Sequence, residues 1–421
     1  MTGADFGIRS SDFENERPSP ELRTSNSEFR SPRPAATNSH TLMDDYFAKY
    51  DALSEQIQAA SAEDAVPLLG RMVDLAIEAG DEAAAEGALM ARLRLASDLG
   101  DFATEFASFN KLAEWHAEGR ENLRAPVLWF YKWIAERLPE FPSLSRAEIS
   151  AFFERMEKTF RDEKEGLRPV YAMRMREAAF AGHAAEADAW REKLDAEPPD
   201  ESDDCPACTT HNRVDVLLNL NRTEEAIEAA APILAGEQTC AEVPYATFSR
   251  LLMPLLRQGD VANAEMCRLV SFRPIRHMPK LLRHLAEHVL YLSFTGRSES
   301  AARPGALMLA RADRSHNGFD RFRSATAAWV WAVARQIAGD AGVRLPRRLS
   351  WAPKGGPMPL DEFLSRVRDE AVSLAAAFDA RNGSDLFAGR VESLRAIEQF
   401  MRSRKDEPDD SVESADPGDA E

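Results

Sequence analysis

Four cysteines in 421 residues are too few to staple a chain of this size. With no apolar signal core near the N-terminus, they are expected as reduced thiols in the cytoplasm. No stretch approaches the ~18 apolar residues needed to span a bilayer, so no membrane partner is expected. Basic charge is in overall deficit: the net charge is −18 and the pI about 5.1, which argues against general nucleic-acid binding. Gly-rich phosphate loops, nucleophile elbows and kinase signatures are missing. The Gly355-Gly356 pair is a turn with no lysine, serine or suitable helix start after it.

Hydrophobic residues are not scarce. At 44% they suffice for a large core, and they recur at helical spacing in pairs of segments from Leu42 to Asp313. Short breaks inside the pairs fall near positions 62, 100, 140, 182, 221, 259 and 296, with steps of 38, 40, 42, 39, 38 and 37 residues. A near-constant period of this size marks stacked helical hairpins. Gly100, Gly182, Gly259 and Gly296 stand where a helix must close. Asp101, Asp260 and Ser298 stand where the next must be capped, and Ala103, Ala185, Ala226, Ala264 and Ala301 are small enough for close helix approach.

The motifs LGDFATEFA, LNRTEEAIEAA, QGDVANAEM and TGRSESAA resemble tetratricopeptide-like (TPR-like) repeats. The units are longer than the usual ~34 residues and lack most of the aromatic consensus. The resemblance implies an all-α, right-handed α-solenoid of about seven hairpins over 43–312. A C-terminal helical capping region, 313–403, follows: a long helix over 317–338, a Pro-rich loop with a short hairpin, and two more helices. Segment 1–42, rich in Ser, Pro and Arg, is expected to be disordered, as is the acidic tail 404–421.

Three groups of residues can carry chemistry. Cys205-x-x-Cys208, with His211 and the later Cys240, has the donor types of a tetrahedral zinc site. Loops at equivalent points of neighbouring repeats lie side by side, which would bring Cys240 to the first pair. These four are the candidate ligands of one structural zinc. The plainer alternatives are free thiols in an acidic loop and a reducible Cys205–Cys208 pair. Cys267 reads as a buried small hydrophobe.

His284, Glu287 and His288 match the H-x-x-E-H pattern of inverted zinc peptidases. A polar face on one helix explains the same spacing.

Arg268 to Lys354 holds sixteen basic and only five acidic residues, interleaved with aromatics. Arg268, Arg273, Arg276, Lys280, His284, His288 and Tyr291 are its candidate partner-binding surface. Solvated helix faces are the plainer account.

The function expected from this reading is a non-catalytic scaffold for a protein or peptide, acidic if the basic segment is the contact. The rivals are a zinc-dependent hydrolase built on His284, Glu287 and His288, and a ligand-sensing subunit that signals through another protein.

Overall fold

The structure, a computed structural model, describes residues 40–406. The segments expected to be disordered lie outside the described residues, except where the first helix begins at His40 and the last runs on to Asp406.

Seven helical hairpins follow one another. They pair α1 (His40–Ala59) with α2 (Ala62–Ala79), α3 (Glu82–Leu99) with α4 (Phe102–Ala117), and α5 (Arg124–Arg137) with α6 (Arg146–Asp162). Next come α7 (Arg168–Ala181) with α8 (Ala184–Ala196), and α9 (Pro206–Asn219) with the broken pair α10 (Thr223–Ala229) and α11 (Ala231–Leu234). The last two pair α12 (Tyr245–Arg257) with α13 (Val261–His277) and α14 (Leu282–Phe294) with α15 (Ala302–Ala312). The cap is α16 (Gly318–Ile337), a two-residue hairpin of β1 (Gly342–Val343) and β2 (Met358–Pro359), then α17 (Leu360–Asn382) and α18 (Leu386–Asp406). The fold is all-α and solenoid-like.

Local chemistry sets the helix ends. Gly182 closes α7 in the left-handed region at φ 86°, where a side chain would be strained. Asn221, with φ 59°, takes the same role between α9 and α10. Asp101 and Asp260 cap as expected, accepting from the backbone N–H of Thr104 and Asn263. Ser298 does not cap. It is buried, and its carbonyl accepts from the indole N–H of Trp331. Ala226, Ala264 and Ala301 are fully buried at hairpin contacts, whereas Ala103 and Ala185 face solvent.

Two large hydrophobic cores divide the molecule, with a small third cluster between α7, α8 and α9. One runs from Tyr46 to Met173, the other from Phe180 to Leu394. α7 links them, with Val170 and Met173 in the first core and Phe180 in the second, where Phe180 meets Phe319, Phe378 and Phe387 at ring separations of 5.0, 5.7 and 5.4 Å.

The array also closes on itself. Arg283 at the start of α14 donates to Glu140, in the 3-10 turn after α5, with Nη2 2.7 Å from Oε2. Asn317, the N-cap of α16, donates to the same carboxylate. Arg381 of α17 donates to the carbonyls of Pro139 and Phe141 at 2.6 and 3.1 Å. Lys280 reaches Asp98 at 2.9 Å.

Candidate functional site

Cys205 is the N-cap of α9 and Cys208 lies in its first turn, so Cys208 stands on the helix and not in a loop. Cys240 comes from the loop between α11 and α12. That loop is folded on itself, with Cys240 N–H and Thr239 Oγ1 both donating to the carbonyl of Val243. The result is a three-sulfur cluster, all donor atoms within 4.8 Å of one another and Cys208 Sγ 3.4 Å from Cys240 Sγ. Burial works against ionisation of Cys205. The N–H groups of Cys208 and Ala207 and the thiols of Cys208 and Cys240 outweigh it and bring this thiol below its ordinary value. Burial, followed by hydrogen bonds with Cys240 and Cys205, pushes Cys208 up.

His211 does not join the sulfurs. Its Nδ1 lies 2.9 Å from Thr247 Oγ1, and its ring stands 6.3 Å from that of His284. One helical turn beyond the cysteines, α9 has already turned this side chain towards α12 and α14.

The H-x-x-E-H residues are interior. α14 packs against α12, α13, α15 and α16, and His284, Glu287, His288 and Tyr291 are all buried. His284 Nδ1 is 2.7 Å from Ser249 Oγ and His288 Nε2 is 3.1 Å from Ser271 Oγ. Burial and the neighbouring Arg283 hold His284 well below its ordinary value. Burial and Arg268 bring His288 to about 3. Glu287 accepts from Arg250 at 2.9 Å and from Arg323. Two guanidiniums clamp the carboxylate that a peptidase would use as its base, and each imidazole shares a hydrogen bond with a serine.

The glutamate belongs to a larger arrangement that the sequence reading missed. Glu136, Arg176, Asp215, Arg250, Glu287 and Arg323 sit on α5, α7, α9, α12, α14 and α16, in that order. They alternate in sign at steps of 35 to 40 residues. Glu136 meets Arg176 at 2.8 Å and Asp215 meets Arg250 at 2.6 Å. Burial disfavours the Arg250 guanidinium, but Asp215 and Glu287 raise it above its ordinary value, and Arg250 in turn holds Asp215 well below its own despite burial. Arg390, crowded in by burial and then by Arg323 and Arg250, falls to about 9. The signal was present, since the charges repeat with the period of the helix breaks. Read singly, each looks like a solvated surface residue.

This ladder leaves little room between the helices that carry it. The cavity left between Glu136, Arg176, Asp215, Arg250 and Arg283 encloses about 30 Å³, room for water but far below the size of a ligand pocket. A shallow groove of about 610 Å³ lies between α16, α17 and α18, but its polar lining is spent internally: Arg368 and Arg402 both hold Glu398, and Gln336 holds Asp361.

The proposed partner surface therefore needs correcting. His284, His288 and Tyr291 are inside because α14 is covered on every side. Lys280 is tied to Asp98 and Glu242, and Arg268 to Glu265. Arg273 is exposed and Arg276 half-buried. They share the outer arc of α13 with Leu269, 62% exposed, and Val261, 56% exposed. The opposite arc buries Ala264, Cys267, Ser271 and Ile275.

No protein-family model matches the chain, and no curated protein matches it. Among the described residues no helix is long and apolar enough to cross a membrane.

Proposed function

We propose that the chain is a non-catalytic scaffold of the TPR-like class. Its partner is a protein segment with an apolar anchor flanked by acidic residues, docked on the outer face of α13. The observation that carries this reading is the row Leu269, Arg273, Arg276. Residues four and seven apart share a helical face, so a large apolar side chain left in water is followed on one line by two guanidiniums. Neither arginine forms an ion pair among the described residues. Nearby, Arg311 donates to the carbonyl of Arg276, adding positive charge at the end of that line. Charge complementarity favours an acidic segment, and a rigid helix presenting an apolar anchor suits a hot spot.

Selection of peptides from a randomised display library on the immobilised protein tests this reading. Enriched peptides should pair an apolar residue with Asp or Glu. Their binding should weaken roughly tenfold or more in Leu269→Asp and in Arg273→Glu, and stay unchanged in Ile77→Asp, an exposed apolar position on α2. Peptides whose binding ignores Leu269 and Arg273 would overturn the proposal.

A further inference from the structure

The geometry points to a tris-thiolate metal site at Cys205, Cys208 and Cys240, taking a thiophilic divalent ion such as zinc and leaving one coordination position to solvent. This goes beyond the scaffold reading and does not depend on it.

Distance is the first argument. A disulfide needs sulfurs ~2.05 Å apart, and all four cysteines of the chain are free. Around a tetrahedral zinc with Zn–S about 2.3 Å, sulfurs stand about 3.8 Å apart. The 3.4 Å between Cys208 and Cys240, with all three sulfurs inside 4.8 Å, is the spacing of donors around a shared ion.

The second argument is that the donors are held in place from outside the cluster. Lys132 of α5, almost fully buried, donates to the carbonyl of Ser202 and to Asp204 Oδ1, both at 2.9 Å. Arg168 of α7 holds Asp203 at 2.7 Å. Asn212 and Thr209, on α9, donate back to Asp204. The approach to Cys205 is thus pinned residue by residue, and the Val243 carbonyl fixes Cys240. Support of this kind is what orients ligands before an ion arrives.

Charge and coordination number come next. Three thiolates and a divalent ion leave one net negative charge. It sits at the N-terminus of the 14-residue helix α9, where the helix dipole favours an anion. Among the described residues no fourth His, Cys, Asp or Glu joins the group, His211 being committed to Thr247. Cys205 is exposed, so water or an added monodentate ligand can reach the ion. Its structural effect is to tie the start of one repeat to the start of the next.

The test uses the full chain, kept reduced with a phosphine and equilibrated with zinc, then dialysed. One zinc per chain is expected, with a raised unfolding temperature. Cys205→Ser should lose the zinc and stay folded, because serine is itself a good helix cap. Cys240→Ser should lose it too, while Cys267→Ser and His211→Gln should keep it. With cobalt in place of zinc, thiolate charge-transfer bands should appear, and a small monodentate thiol should shift the cobalt bands. A wild-type chain that retains no zinc overturns the site. Zinc lost in a folded His211→Gln variant, or cobalt bands that ignore the added thiol, overturns the open position.

Discussion

Arg250 Nη1 lies 2.9 Å from Glu287 Oε1, while its Nε lies 2.6 Å from Asp215 Oδ1. One guanidinium thus joins three successive hairpins, and Glu287 passes the connection to Arg323. Removing one member of a buried ion pair strands the other, which typically costs about 3–5 kcal/mol. Glu287→Ala should lower the unfolding free energy from urea titration by an amount in that range, and with it the midpoint, and Glu287→Gln by less, since the amide oxygen still accepts. An unchanged midpoint in the alanine variant would show that the ladder contributes nothing to stability.

Glu105, fully buried beside Arg137 at 3.2 Å, is raised to about 7 by burial, which Arg137 only partly offsets. A carboxyl with a raised folded pKa holds its proton longer in the folded state. Stability is therefore lost as pH climbs from about 4.5 through 7, by up to about 3 kcal/mol. Glu105→Gln should become more stable relative to wild type between pH 5 and pH 8. Parallel thermal melts across that range would contradict the assignment.

His288 acts in the opposite direction. It is neutral and buried, with Nδ1 unpaired, and its folded value of about 3 lies below the ordinary 6.5. The unfolded chain binds the proton first, so stability is present above pH 6.5 and drains as pH falls towards 3, at about 1.4 kcal/mol per unit. His288→Leu should flatten the acid limb of the stability curve. If wild type and variant lose stability in step between pH 6.5 and 4, the imidazole is not the group responsible.

Gly182 carries two constraints at once. Its φ is 86°, and a Cβ there would stand 3.1 Å from Leu386 Cβ and 3.2 Å from Ser384 Oγ. Gly80 has a similar φ of 72° and nothing within 4 Å. Gly80→Ala should cost about 1 kcal/mol from backbone strain alone, and Gly182→Ala clearly more, because α18 must also give way. Equal costs in denaturant titrations would remove the packing term.

The hairpins were legible because their signals are local. A glycine or asparagine closes a helix where it stands, Asp101 and Asp260 cap the next helix from the adjacent residue, and apolar spacing repeats within one turn. The short hairpin at 342–359 and the long helix at 318–337 were readable on the same grounds. The candidate surface on α14 was not. His284, Glu287, His288 and Tyr291 look like a polar stripe, and only a packed neighbour on every side turns that stripe inward to Ser249, Ser271 and Arg250. His211 shares the problem: spacing placed it near two cysteines, but it lies nearly a turn further along α9, where its ring meets Thr247. Of the proposed zinc ligands, the three sulfurs were brought together because the start of α9 and the loop before α12 lie side by side in adjacent hairpins.

Glu140 is held by Arg283 and Asn317, 143 and 177 residues further along the chain. In an open array each unit knows only its neighbours, so units can be duplicated or deleted and the ends simply move. Here the count is part of the structure. Inserting or removing one hairpin between α5 and α14 would carry Arg283 past Glu140 and Arg381 past the Pro139 carbonyl. The circuit would then be left with buried, unmatched groups at its seam. A lineage carrying this chain cannot lengthen it by copying a hairpin between α5 and α14 without breaking that seam.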